Sequence, residues 1–221
     1  MAIAITVICM AVIAFAQFRE GLFNAVVMLI NVILAGLITF NFWEPLANVL
    51  DSAFQGMFLE GYEDWFVLMT LFCVSLMILR VITNNIANTQ VHFSAVPQQL
   101  GAAVVGLLTG YLLSGFLVCV GETLPWHENF MDFEPRTPRE TAMRRLFPPD
   151  RVWLALMRHA GAYGFSRGAD NDDGETLYDR HPTFDRAGTF ELRYLRYRRY
   201  NNQRGPMVYE GELETELGRQ K

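Results

Sequence analysis

Charged side chains are scarce in the first half of the chain. Residues 1–120 contain two basic residues, Arg19 and Arg80, and six acidic ones, whereas residues 121–221 contain 16 basic and 17 acidic residues. A water-soluble domain needs many more charges on its surface than the first half provides, so an ordinary globular domain is excluded there. The sequence therefore divides into an apolar domain, residues 1–122, and a polar tail, residues 123–221.

Cysteine is also rare, and the usual groups of catalytic or metal-binding side chains are missing. Cys9, Cys73 and Cys119 lie in apolar runs, without the close spacing of a zinc or redox pair. Buried free cysteine behaves as a small apolar residue, which is the interpretation we favour. No histidine or acidic cluster has metal-ligand spacing, and no Ser/His/Asp or Cys/His set is recognisable. We therefore expect no enzyme activity, no metal and no cofactor.

Four long uncharged runs account for most of the first half. A helix needs about 20 apolar residues to cross the hydrocarbon core of a bilayer. The runs are Ala2–Phe18, Gly21–Trp43, Trp65–Leu79 and Leu100–Gly121. The third is long enough when Arg80 extends its head group to the interface. The sequence predicts an all-α membrane protein with four transmembrane helices, of which the first two form a tight antiparallel hairpin.

The first run has some features of a cleaved signal peptide. Ala14-Phe15-Ala16 has the small-x-small pattern of a cleavage site, but no charged residue precedes Arg19. Because the basic segment of a signal peptide is missing, we favour a retained first helix.

The two basic residues predict the orientation of the helices. Basic residues next to membrane helices favour the cytoplasmic side. With four crossings, Arg19 and Arg80 fall on one side, while the termini and the acidic segment 44–64 fall on the other. We therefore expect both termini outside the cytoplasm.

Segment 44–64 also predicts an additional, amphipathic helix. Apolar residues recur on one helical face from Leu46 to Phe58, while Asn48 and Asp51 lie on the other face. Its acidic polar face does not suit anionic lipid, so we expect this outer helix to pack over the transmembrane helices.

Small residues recur every four positions in the fourth run, at Ala102, Gly106, Gly110 and Ser114. This small-residue ridge allows another helix backbone to approach closely. The partner is either a helix of the same chain or a second copy in a homo-oligomer.

Asn24 and Asn31 lie seven residues apart on one face of the second run. Amides at membrane depth either bond neighbouring helices together or line a polar path for a solute. No charged residue or histidine lies deep in any run, which argues against a proton-coupled transporter.

Several of these features resemble one known family. They are the turn Phe18-Arg19-Glu20-Gly21-Leu22, a second helix ending near Pro45, and a fourth helix that opens with LGAAVVGLLTG at residues 100–110. Helix order and glycine placement over about residues 1–122 resemble the colicin V production protein family. Family members often carry a charge just before the fourth helix, where this chain has Pro97-Gln98-Gln99. The resemblance implies a bacterial inner-membrane protein linked to toxin production or export and to envelope phenotypes, without established catalytic residues.

The tail begins with two short predicted helices. A threonine cap and a proline predict a helix over about 138–147, which Pro148-Pro149 ends. Asp150 then caps a helix over about 151–163, whose apolar stripe includes Trp153. One stripe cannot form a core alone, so we expect it to dock on the membrane domain or on a partner. Beyond about residue 165 we expect extended or partly disordered chain.

Arginine is interleaved with tyrosine between residues 190 and 200, and the basic residues are Arg193, Arg196, Arg198 and Arg199. Such a stretch binds nucleic acid where it meets any. An outward-facing tail meets none, so an envelope polyanion, lipid headgroups or an acidic protein are the expected partners. The acidic residues between 210 and 216 offer an intramolecular alternative.

Together these features predict a non-enzymatic membrane scaffold or accessory protein for envelope or secretion functions. The expected partners are the lipid bilayer and a membrane or envelope protein, with a homo-oligomer as a further alternative. The competing hypothesis is a small channel or transporter lined by Asn24 and Asn31.

Overall fold

The computed structural model describes residues 2–54, 62–86, 95–124 and 145–163, together with Phe190 and Tyr194. All regular secondary structure in these residues is helical: α1 (Ala2–Glu20), α2 (Leu22–Phe54), α3 (Glu63–Ile86), α4 (Ala95–Glu122) and α5 (Pro149–Tyr163). The first four helices are long and apolar enough to cross a membrane. The prediction of an all-α protein with four transmembrane helices is therefore confirmed.

Large apolar side chains cover the outside of the four-helix bundle. Ile8, Phe15 and Met77, for example, are 60%, 65% and 68% exposed. In water such a surface would be unfavourable, whereas lipid acyl chains are as apolar as these side chains. The outer surface is thus suited to a bilayer.

Gly21 reverses the chain between α1 and α2. Its φ angle of 95° is readily adopted only by glycine. Its amide donates to the Gln17 carbonyl at 2.9 Å, and its carbonyl accepts from the Ala25 amide at 3.1 Å. One residue therefore ends α1 and starts α2. We call this end of the bundle, with Arg19 and Arg80, the arginine side, and the opposite end the loop side.

The helices do not pack in the order expected for a tight α1–α2 hairpin. α1 packs mainly along α4 and touches α2 only sparsely, while α2 packs against α3 and α4. The expectation of a tight hairpin is wrong, because the small-residue ridge makes α4 a closer partner for α1 than α2 is. α4 is thus the central helix of the bundle.

α2 continues through Pro45 as a single helix to Phe54. The expected end near Pro45 is wrong, because one proline removes one backbone hydrogen bond and can bend a helix without ending it. The membrane-spanning part is Leu22–Ala47. The described part of the amphipathic segment is therefore the loop-side end of α2, and residues 55–61 lie outside the described residues.

α5 begins at Pro149, a favoured first position because proline lacks the amide hydrogen that would have no partner there. Asp150 consequently lies in the first turn and does not cap the helix from outside. Most of the helix expected over 138–147 lies outside the described residues. α5 packs on α4 and on α2, so this part of the tail lies against the bundle.

Candidate functional site

The bundle holds α5 through one large side chain, that of Trp153. Trp153 is fully buried. A Cβ atom added at Gly36 of α2 would lie 2.5 Å from the Cζ2 atom of Trp153, and one added at Gly115 of α4 would lie 2.9 Å from its Cβ atom. Any side chain at either position would therefore collide with Trp153. We call this space between α2 and α4 the Trp153 groove.

Three phenylalanines line the Trp153 groove. The indole ring lies 6.4 Å from Phe40, 6.4 Å from Phe72 and 5.8 Å from Phe116. Phe72 and Phe116 stack at 3.9 Å, which joins α3 to α4. Aromatic pairs of this kind add about 0.5–1.5 kcal/mol each beyond the burial of their area. α2, α3 and α4 thus each contribute one ring to an aromatic cluster around Trp153.

A second contact attaches the tail at the loop side. Phe190 lies 5.9 Å from Phe40 and 6.1 Å from Trp43, and each of these two contacts is edge-to-face. The hydroxyl of Tyr194 donates a hydrogen bond to Asp64 Oδ2 at 2.7 Å. Phe190 and Tyr194 are both buried. The start of the Arg/Tyr stretch is therefore fixed where α2 and α3 reach the loop side.

Two carboxylates are buried where α4 meets α5. Glu122 and Asp150 are both fully buried, and both take part in polar interactions. The Cys119 thiol donates to the backbone oxygen of Asp150 at 3.6 Å. A negative charge in the first turn of a helix is favoured by the helix dipole, so Asp150 suits its position in α5. The sequence offered little signal for the contact between Cys119 and Asp150, because Asp150 lies outside every apolar run.

The small-residue ridge of α4 lies against α1 of the same chain. A Cβ atom at Gly106 would lie 2.8 Å from the Ala14 Cα atom, and one at Gly110 would lie 2.6 Å from the Met10 Cα atom. The outer members of the ridge, Ala102 and Ser114, are fully buried. The structure thus places a helix of the same chain on this ridge.

Asn24 and Asn31 have different partners and do not share a site. The Asn31 amide nitrogen donates to the Thr83 hydroxyl at 3.0 Å, between α2 and α3. The Asn24 amide donates to the Glu20 carbonyl at 3.3 Å, one turn back along its own chain. Asn31 is buried and lies level with Thr83, near the arginine side. The hydrogen bond between Asn31 and Thr83 connects α2 to α3.

Sequence reasoning missed one ion pair and one buried polar side chain on the arginine side. Arg80 Nη2 lies 3.5 Å from Glu20 Oε1, and both side chains are partly exposed. Gln17 is buried on α1, and a Cβ atom at Gly106 would lie 3.1 Å from the Gln17 Cβ atom. A glutamine near the end of an apolar run was the available signal for the burial of Gln17.

The structure describes one of the predicted partner-binding residues of the tail, Trp153, and leaves the others outside the described residues. Trp153 is buried against the bundle, which is one of the two docks expected for its stripe. Arg193, Arg196, Arg198 and Arg199 lie outside the described residues. Among the residues that the structure describes, no group of three His, Cys, Asp or Glu side chains is placed to hold a metal ion.

The chain matches the family model of the colicin V production protein over residues 1–144. No curated protein and no solved structure matches it. The family match includes α1 to α4, with the Gly21 turn and the small-residue ridge, and ends just before α5. The chain is a multi-pass membrane protein, and it belongs to the colicin V production protein family.

Proposed function

We propose that this protein is a non-enzymatic scaffold of the bacterial inner membrane that serves an envelope or secretion function. The family ties the chain to toxin production. The observation that carries the proposal is the attachment of the tail at two separate points, the Trp153 groove and the contact between Tyr194 and Asp64. This attachment supports a role in which the bundle presents the tail to a partner.

The second attachment point includes Tyr194, which is a near neighbour of two of the basic residues along the chain. Arg193 and Arg196 are one and two residues from Tyr194 along the chain, and consecutive Cα atoms are about 3.8 Å apart. A ligand that binds these arginines is therefore brought to the loop-side end of α3. With both termini outside the cytoplasm, the partner is an acidic membrane or envelope protein and not a nucleic acid.

The polar residues inside the bundle also favour a scaffold. Asn31 bonds to Thr83 and Asn24 bonds to Glu20, so their amides contribute to helix packing. The channel or transporter hypothesis needs both amides to face one solute path, and this geometry lends it no support.

Photo-crosslinking in intact cells tests the proposal. A photoreactive amino acid at position 196 should give one major crosslinked protein, identified by mass spectrometry. The same amino acid at position 19, on the arginine side, serves as the matched control and should not give that product.

The double variant Trp153→Ala, Tyr194→Phe weakens both attachment points. It therefore tests whether the partner binds a tail that the bundle holds in place or a tail that has come free. It should reduce the crosslink at position 196 while the protein remains in the membrane. An unchanged crosslink, or the same product from position 19, would overturn the proposal.

A further inference from the structure

Phe40 of α2 contacts rings from both attachment points of the tail. Its ring centroid lies 6.4 Å from that of Trp153 in α5 and 5.9 Å from that of Phe190. Among the described residues, Trp153 has ring contacts with Phe40, Phe72 and Phe116. No ring contact joins Trp153 directly to Phe190 in this part of the chain. Phe40 is therefore a neighbour that the two attachment points share.

The two attachment points are also adjacent along one face of α2. Gly36 makes room for the Trp153 ring, and Trp43 contacts Phe190 at 6.1 Å. Positions 36 and 43 are seven residues apart, which is about 10 Å of helix at 1.5 Å per residue. Phe40 lies between them in the sequence and is 3% exposed. Its ring is thus packed against both attachment points, and loss of Phe190 removes one of these contacts.

Trp153 is held in its groove by ring contacts and not by a hydrogen bond of its side chain. The indole Nε1 atom is buried and has no hydrogen-bond partner among the described residues. A buried donor without an acceptor opposes burial, because the same group bonds to water once it is exposed. Aromatic pairs and buried apolar area must therefore supply the free energy that keeps Trp153 docked. The docked state is accordingly sensitive to changes in the rings around Trp153.

We propose that Phe40 couples the two attachment points, so that withdrawal of Phe190 from the loop side weakens the docking of α5 in the Trp153 groove. Packed side chains can carry coupling of this kind between neighbouring sites, and a coupling free energy acts in both directions. A partner that pulls the tail away from the contact between Tyr194 and Asp64 would thereby release α5. Only this last step rests on the proposed function, because the coupling is a property of the chain alone.

Hydrogen exchange of the full-length protein in detergent tests the coupling. Phe190→Ala should speed the exchange of the α5 backbone amides by about two- to tenfold, the factor that corresponds to the loss of one aromatic pair. Exchange in α1, which touches α2 only sparsely, should stay at the wild-type rate. Phe15→Ala removes a ring of the same kind from the exposed face of α1 and should leave the exchange of α5 unchanged.

Two background variants show whether Phe40 carries the effect. In a Phe40→Leu background, which keeps an apolar side chain and removes the ring, Phe190→Ala should change the exchange of α5 by less than about twofold, because the coupling ring is already gone. Phe72→Leu is the matched control, since Phe72 also lies 6.4 Å from Trp153 but has no ring contact with Phe190 among the described residues. In that background Phe190→Ala should keep its full effect.

The reverse direction gives a second measurement that does not depend on the folding of the Phe40 variant. Trp153→Ala should speed the exchange of residues 190–194 by a similar factor, because coupling is reciprocal. Wild-type exchange of α5 in Phe190→Ala would overturn the proposal. The same holds for a full effect of Phe190→Ala in the Phe40→Leu background, or an equal rise of exchange in α1. These measurements involve no partner, so they fail or succeed independently of the crosslink at position 196.

Discussion

The backbone of α4 at Gly110 lies directly against the backbone of α1 at Met10. A Cβ atom on Gly110 would lie 2.6 Å from the Met10 Cα atom and 2.8 Å from the Cys9 carbonyl oxygen. Neither atom belongs to a flexible side chain that could move aside. The two helices therefore approach so closely at this point that only glycine fits on α4.

Gly110→Leu should separate α1 from α4. Overpacking of this kind costs about 1–3 kcal/mol or more, and we expect a lower midpoint of thermal unfolding in detergent. Leu107→Met, on a partly lipid-exposed position of the same helix, should change the midpoint little. Gly110→Leu should leave the oligomer size unaltered, because the ridge packs within one chain. A variant as stable as the wild type would contradict the close packing.

Trp153→Ala should release α5 from the bundle. Replacing a buried tryptophan with alanine costs about 3–5 kcal/mol, and the cavity lies between α2 and α4. We expect the tail to be cleaved faster by a protease added to membrane vesicles or detergent-solubilised protein. Val152→Ala, on the exposed face of the same helix, is the matched control. Equal cleavage of the Trp153 variant and the control would show that the groove does not hold the tail.

Tyr194→Phe removes one hydroxyl and leaves the ring contact with Phe190. A hydrogen bond to a charged group contributes about 1.5–3 kcal/mol, so hydrogen exchange of the backbone around residue 194 should become faster. Asp64→Ala removes the acceptor of this bond. In the double variant the effects should not add, because both changes remove the same bond. Additive effects would mean that the two residues act independently.

Asn31→Leu tests the role of the buried amide. Hydrogen bonds between membrane helices contribute about 0.6–2 kcal/mol, and we expect a loss of stability in this range. Thr83→Val should cause a similar loss, and Asn24→Leu a smaller one, because Asn24 bonds within its own turn. If Asn24→Leu and Asn31→Leu together abolished a solute flux in a folded protein, a conduit would replace the scaffold.

The orientation of the bundle predicts that the tail lies outside the cytoplasm. Arg19 and Arg80 lie at the same end of the structure, where Arg80 pairs with Glu20, and basic residues favour the cytoplasmic side. A C-terminal fusion to a phosphatase that is active only in an oxidising compartment should be active. A fluorescent protein that matures only in the cytoplasm should stay dark in the same position. The opposite pair of results would invert the bundle.

Local composition was sufficient to predict the four membrane helices. Apart from Gly21, which forms the turn before α2, each uncharged run falls inside a helix. The ends differ by a few residues because Glu20, Glu63 and Glu122 continue helices into polar sequence. α2 is the main exception, because it continues through Pro45 to Phe54 and so includes the start of the segment predicted as a separate outer helix. Helix propensity alone does not show that α2 can continue through a proline.

Pairing between distant parts of the chain could not be predicted in the same way. The small-residue ridge indicated a close helix partner, but nothing in its spacing distinguishes α1 from a second copy. The apolar stripe with Trp153 indicated that α5 docks on another surface. Nothing in the sequence marks Gly36 and Gly115, which lie in apolar runs, as the glycines that make room for Trp153. The bond between Tyr194 and Asp64 joins residues 130 positions apart. Such pairs depend on the three-dimensional arrangement, which single-sequence patterns do not contain.

The closeness of Met10 to Gly110 also has a consequence for the way the protein is made. One hundred residues separate the two positions, so at about 5–20 residues per second the ribosome needs about 5–20 s to reach the second after the first. During this interval α1 is already available for insertion, while the helix that fits it has not been synthesised. A nascent chain that stops before α4 leaves α1 without its main partner, and only lipid or the insertion machinery can hold it. The bundle is therefore completed by the last of its four transmembrane helices, and the packing of α1 depends on the synthesis of α4.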